Sequence, residues 1–193
     1  MPDQDESYDY ELIKASQAGD TQAMERLIKL YAEAVHSLIY SILGNRDIVE
    51  DVAQETFLKM LMAIEHYEFR APFRSWLFRI AVNLCRDQMR RSRVRQIVTY
   101  FQHREGSQEE FFIDTEQNPL ADLEKKENLE HLHRGIAKLP PSLRTVIVLR
   151  DVQDLTYEEI AKTLNWRLGT VKSRLFRARQ ELGKLLNPYL EEC

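Results

Sequence analysis

Cysteine is nearly absent: Cys85 and Cys193 are the only two, and they form no CxxC or other ligand pair. That spacing argues against a disulfide framework and against a structural zinc site, and the expected state of both is a free thiol. Long apolar runs are missing as well. Residues 34–43 come nearest, and His36 and Ser37 interrupt a stretch already too short to cross a bilayer. The opening MPDQDESYDY is acidic where a secretory signal would be basic and then apolar, so no export is expected and the cytoplasm is the expected location. No glycine-rich phosphate cradle occurs. His131 and His133 stand two apart on an expected helix and point in different directions, which supports neither a metal site nor a catalytic dyad. An enzyme, a cofactor and a metal centre are therefore not expected. Nor is there any alternating strand pattern or tandem repeat, and the fold class expected is all-α.

What is present is a globular composition, 44% hydrophobic and 30% charged over 193 residues, enough for two small helical domains. The net charge of -4 hides a sorting of charge into blocks. Residues 161–180 contain no acid but carry Lys162, Arg167, Lys172, Arg174, Arg177 and Arg179. Between 105 and 130 the balance reverses, with Glu105, Glu109, Glu110, Asp114, Glu116, Asp122, Glu124, Glu127 and Glu130 against Lys125 and Lys126. Apolar periodicity predicts a short helix over 9–18 stopped at Gly19, then a longer one capped by Asp20 or Thr21 and ended by Gly44. Asp47 is expected to open a third helix reaching about 66, and a fourth starts near Phe73 and finishes in the basic run Arg86, Arg90, Arg91, Arg93, Arg95. Residues 96–119 show no sustained period and read as a flexible acidic linker between a front domain, 1–95, and a rear domain, 120–193. In the rear domain a helix over about 120–139 is broken by Pro140 and Pro141, which suit the first turn of the next.

The rear domain ends in the most informative stretch, LTYEEIAKTLNWRLGTVKSRLFRARQEL, residues 155–182. Thr156 with Glu159 fits a capping box that fixes the start of one helix. Ile160, Ala161 and Leu164 face inward, residues 165–169 make a turn, and Val171, Leu175, Ala178 and Leu182 line the buried stripe of a second helix. Lys172, Ser173, Phe176, Arg177 and Arg179 are left on the outward arc, a mix of charge and shape suited to a major groove. Lysine and arginine offer donors to base edges or phosphates, serine a short adaptable bond, phenylalanine an apolar contact to a thymine methyl. DNA binding by a helix-turn-helix is the reading. An operator-binding transcriptional regulator that acts on duplex DNA without polymerase is the rival function, and a helical adaptor would leave the acid-free basic helix unexplained.

Three stretches together resemble a known family. LTYEEIAKTLNWRLGTVKSRLFRAR is similar to the -35 reading motif of the extracytoplasmic-function (ECF) group of bacterial RNA polymerase sigma factors. EDVAQETFLKML and FRSWLFRIAVNLCRD are similar to the two signature stretches of that group's other domain. The resemblance implies a promoter-specificity subunit whose partners are core RNA polymerase (its largest-subunit clamp helices and its flap), promoter DNA and an anti-sigma factor that is often membrane-bound. It implies polymerase docking through Asp51, Gln54 and Glu55. Grip and melting of the -10 element would fall to Phe69, Arg70, Phe73, Arg74, Arg79, Asn83 and Arg86, aromatics and cations of the kinds that hold unstacked bases and a single strand. Reading of -35 would fall to Thr170, Lys172, Ser173, Arg174, Phe176 and Arg177. By the same resemblance the acidic linker threads polymerase's active cleft. This chain departs from the family where Ala71 and Pro72 replace a longer glycine-containing loop, where Arg167 replaces a common proline, and where Lys172 replaces a frequent arginine. Lysine lacks the planar two-donor fork for guanine, which implies a shifted -35 preference.

Overall fold

The computed structural model describes residues 3–102 and 123–190, with side-chain surroundings for 9–93 and 131–187. Every regular element among them is helical. The front domain comprises α1 (Asp3–Gln17), α2 (Thr21–Leu43), α3 (Val49–Ala63) and α4 (Phe73–Gln102). The rear domain comprises α5 (Leu123–Lys138), α6 (Pro141–Ile147), α7 (Tyr157–Leu164) and α8 (Leu168–Leu190).

α2 is the post around which the front domain packs. The Asp20 carboxylate accepts from the amides of Gln22 (2.8 Å) and Ala23 (3.2 Å) and caps its start. Gly44, at φ 69°, supplies the left-handed step that ends it. Leu27, Val35, Leu38, Ile39 and Ile42 repeat at helical steps between them and are wholly buried. Each such side chain contributes about 1.5–3 kcal/mol by leaving water. α1, α3 and α4 pack on three sides of this stripe. At the start of α4 an aromatic cluster closes the core, with Phe73 5.3 Å from Tyr31, 5.4 Å from Tyr67 and 5.4 Å from Trp76, centroid to centroid.

Several boundaries differ from those read in the sequence. α1 begins at Asp3. The chain before α3 first makes a 3-10 turn, Arg46–Ile48, and its cap is Asn45, whose side chain accepts from the Asp47 amide at 2.8 Å; Asp47 is not the cap. α4 continues to Gln102, into the stretch expected as linker. The remaining acidic stretch, 103–122, lies outside the described residues.

In the rear domain Pro140 caps α6 and Pro141 is its first helical residue, where a missing amide costs nothing. α6 widens into a π turn, Val148–Val152, from which the chain leaves through Asp154 at φ 57°. The capping box forms: Thr156 Oγ1 accepts from the Glu159 amide at 3.2 Å, and the Glu159 carboxylate accepts from the Thr156 amide at 2.7 Å. Asn165 takes the left-handed conformation at φ 53° and ends α7. The turn is shorter than expected. The Arg167 carbonyl accepts from the amides of Thr170 (2.8 Å) and Val171 (3.1 Å), so Gly169 belongs to the first turn of α8 and not to the connection. α8 buries Val171, Leu175, Ala178 and Leu182 against the rest of the domain, as its periodicity predicts.

The two domains also touch. Gln153, 3% exposed, accepts from Arg74 of α4 at 3.1 Å and donates to Ser37 of α2 at 3.2 Å. Arg144 donates to the Ile42 carbonyl at the end of α2 (2.9 Å), and also to the Ala137 and Leu139 carbonyls at the end of α5.

Candidate nucleic-acid interface

Three side-chain stripes carry the polar and cationic groups singled out in the sequence. The first lies on α8. Lys172, Ser173, Phe176 and Arg177 are exposed, and Phe176 stands 63% open to water on a helix otherwise ordered by its apolar stripe. Thr170 is half-buried, with its carbonyl accepting from Ser173 Oγ at 3.1 Å. The Arg174 guanidinium carbon lies over the Trp166 ring, 4.0 Å from its centroid. Arg167, Lys172 and Arg177 have no ion pair among the described residues, whereas Arg179 is held by Asp151 through bonds of 3.1 and 2.6 Å. That fork ties α8 to the π turn and removes Arg179 from the set free to meet phosphate.

The second stripe runs along α4. Trp76, Arg79, Asn83 and Arg86 follow one another at three and four residue steps and so share one face. Arg79 and Asn83 are exposed; Arg86 is half-buried, its pKa lowered first by burial and then by the charge of Arg174. Phe69 and Arg70 stand in the preceding loop. Phe69 holds φ 56°, a left-handed conformation that costs a non-glycine residue roughly 1–2 kcal/mol. Its ring is fixed by Tyr10 at 4.9 Å and Tyr67 at 4.8 Å, with the Lys14 ammonium 5.0 Å from its centroid. Arg70 pairs with Glu68 at 2.6 Å. Phe73 is only 3% exposed and belongs to the aromatic core, so here it shapes the loop from beneath and offers no open surface. Arg74 is committed to Gln153 and to the Phe78 ring, 5.0 Å away. Beside this stripe the loop and α7 enclose a cleft of about 490 Å³, lined among others by Arg70, Trp76, Arg79, Lys162 and Asn165.

The third stripe is on α3. Asp51 and Gln54 are exposed and Glu55 half-buried; Gln54 donates to Glu50 at 3.1 Å and Glu55 pairs with Lys59 at 3.2 Å. The sequence reading missed two neighbours on the same arc. Leu58 and Met62, 60% and 82% exposed, continue the stripe at the next two turns and give it an apolar end. Their signal is that they fall outside the buried set Val49, Val52, Ala53, Thr56, Phe57 and Met60. Trp166 was also missed; an indole between two helices of an acid-free stretch is the pattern that points to it.

Cys85, the free cysteine among the described residues, is buried with its thiol pushed up to about 12 by desolvation, which makes it a packing residue. No group of His, Cys, Asp and Glu among the described residues could hold a metal ion, and no described helix is long and apolar enough to cross a membrane.

Residues 27–95 match the family model for Sigma-70 region 2, and residues 129–182 match that for Sigma-70, region 4. The RNA polymerase sigma-H factor of Pseudomonas aeruginosa is 31% identical over 187 residues, covering 96% of this chain and 97% of that protein. The ECF RNA polymerase sigma factor SigW of Bacillus subtilis is 32% identical over 183 residues, covering 90% and 94%. Among solved structures, CnrH in complex with the cytosolic domain of CnrY superposes with a TM-score of 0.68 at 25% identity, covering 94% of this chain and 98% of that one. The sigma factor RpoE of Bartonella quintana, in complex with the anti-sigma factor NepR, superposes with a TM-score of 0.67 at 26% identity, covering 84% and 96%.

Proposed function

Because this chain belongs to the ECF sigma factors of bacterial RNA polymerase, with a region 2 and a region 4 that recognise promoters, we propose a division of that work among its three stripes. The α3 arc of Asp51, Gln54, Glu55, Leu58 and Met62 docks on the core enzyme. Its polar half offers acceptors and donors to a partner helix, and its two open apolar side chains supply the buried centre such an interface needs. The α4 face of Arg79, Asn83 and Arg86, with Phe69 and Arg70 above it, grips the -10 element, cations along the backbone and aromatic surface under an unstacked base. Phe73 and Arg74 support that face from within. The α8 arc of Thr170, Lys172, Ser173, Arg174, Phe176 and Arg177 enters the major groove at -35.

The observation that carries the reading is that Lys172, Phe176 and Arg177 stand open, the two cations without an ion pair among the described residues, on a helix whose opposite stripe of Val171, Leu175, Ala178 and Leu182 is buried. The CnrH and Bartonella structures each hold a partner, which supports an anti-sigma factor as a further partner of this chain. The cytoplasm is where such a subunit works. The test is reconstitution. Purified core polymerase with this protein should initiate from a cognate promoter where core alone does not, and Leu58→Ser with Met62→Ser should abolish the gain by weakening core association. Tight binding of a palindromic duplex by the protein alone, with no gain to core polymerase, would instead establish the operator-binding regulator.

A further inference from the structure

Of the cations on the α8 arc, one has its place set by a ring. Thr170, Arg174 and Arg177 follow one another at four and three residue steps along α8 and so share one face. Arg174, half-buried, has its guanidinium carbon 4.0 Å from the centroid of the Trp166 ring, and it makes no hydrogen bond or ion pair among the described residues. Lys172 and Arg177 are exposed and have neither an ion pair nor a ring contact among those residues. The indole therefore decides where the head of Arg174 lies, while its N–H donors remain without a protein acceptor.

Trp166 is itself anchored on both sides. Asn165 before it takes the left-handed step at φ 53°, and the Trp166 amide donates to the Ala161 carbonyl at 2.9 Å. After it, the Arg167 carbonyl accepts from the amides of Thr170 and Val171 and starts α8. The ring is half-buried and packs against the apolar core. Arg86 of α4 reaches the same ring less closely, at 5.6 Å. The contact with Arg174 lies wholly within the helix-turn-helix, so it goes with that unit wherever the unit binds.

Tryptophan is the best of the aromatic rings at attracting a cation. A long side chain ordered only on binding loses its rotamer freedom at that moment, whereas one already ordered does not. Lysine at position 172 has no planar fork, which leaves Arg174 and Arg177 as the arc's two side chains able to meet a guanine edge with two donors. Of these two, Arg174 is the one arranged beforehand. We propose that Trp166 is a positioning residue for promoter reading, whose ring holds the Arg174 guanidinium so that it meets the -35 element at a set place and discriminates among its base pairs. The inference rests on the assignment of the α8 arc to -35 given above.

Promoter binding by the full-length protein in complex with core polymerase tests it, measured for Trp166→Leu, Arg174→Ala and the two together. Trp166→Leu alone should weaken binding of the cognate promoter roughly three- to tenfold, the range of a cation–π contact. It should also lose discrimination at the same -35 base pairs as Arg174→Ala. In the Arg174→Ala background the change at Trp166 should weaken binding by less than about twofold. A tryptophan that only packs the turn gives losses that multiply in full, and that outcome overturns the proposal, as does a Trp166→Leu protein that binds like wild type. Trp166→Phe keeps a ring and should recover most of the loss; a phenylalanine no better than leucine counts against a ring contact. A measurement on the free chain leaves Trp166 in place and guards against misfolding. Arg174→Ala should move the tryptophan emission to the red by uncovering the indole, and an unchanged spectrum shows that the ring does not hold the arginine. If Arg174→Ala and Arg177→Ala both leave promoter binding unchanged, the -35 assignment of α8 falls and the proposal with it. Loss with both of these but not with Trp166→Leu refutes the positioning alone.

Discussion

His36 is caught between two groups that can only accept. Its Nδ1 stands 2.7 Å from the Ala32 carbonyl and its Nε2 2.9 Å from the Glu50 carboxylate. Both ring nitrogens must therefore donate, which is the imidazolium form. Burial alone would lower the pKa; the bonds to Ala32 and Glu50 outweigh it and raise it above the ordinary value. A raised folded-state pKa contributes stability that is full below the unfolded value near 6.5 and is lost as pH climbs through the folded one. The Tm of the wild-type protein should thus fall between pH 6 and pH 9, and His36→Gln should flatten that slope; equal slopes in both proteins would contradict the assignment. Arg177, exposed and with no ion pair among the described residues, makes a different prediction. Arg177→Ala should weaken promoter binding by about 1–3 kcal/mol and reduce the salt slope by about 1, while stability stays within about 0.5 kcal/mol. At this scale the sequence told residue type and helical face, and so Lys172, Phe176 and Arg177 were legible. It did not tell which cations are already engaged, because Arg179 meets Asp151 and Arg74 meets Gln153 only once the chain has folded.

Helix ends were legible where one local rule decides them. Thr156 with Glu159, Asp20 and Gly44 each satisfy or terminate backbone groups within four residues of themselves, and all three sit where the pattern puts them. Thr156→Ala should cost about 1 kcal/mol in chemical denaturation, and less than about 0.3 kcal/mol would mean that the box does not hold α7. Gly169 was misread because glycine marks a turn only when its backbone is needed there. Asn165 already supplies the left-handed step, and Arg167 already opens the next helix. Leu58 and Met62 were hidden for a related reason: periodicity assigns apolar residues inward, and it takes the packed structure to show that α3 has more of them than its core face can cover. The π turn has no sequence signature at all. It inserts between α6 and α7 and delivers Gln153 to the domain boundary.

Across the whole molecule, the class and order of elements followed from composition and periodicity, whereas the meeting of the two domains did not. Its ties join residues 79, 102 and 116 positions apart, and no local pattern reports on such pairs. Arg144 is the best single probe of that union, because it holds carbonyls from α2 and α5 at once. Arg144→Ala should lower stability by roughly 2–4 kcal/mol, the cost of hydrogen bonds to a charged donor. It should also split a single unfolding transition into two, one for each domain; an unchanged single transition would show the domains coupled by other means. The indole shared by Arg86 and Arg174 bears finally on where an unemployed copy of this protein spends its time. A chromosome offers about 10⁶–10⁹ sites that attract any exposed cation regardless of sequence, and every arginine withheld weakens that attraction by nearly one counterion released. Drawing these two guanidiniums to the Trp166 ring leaves them less available to such sites.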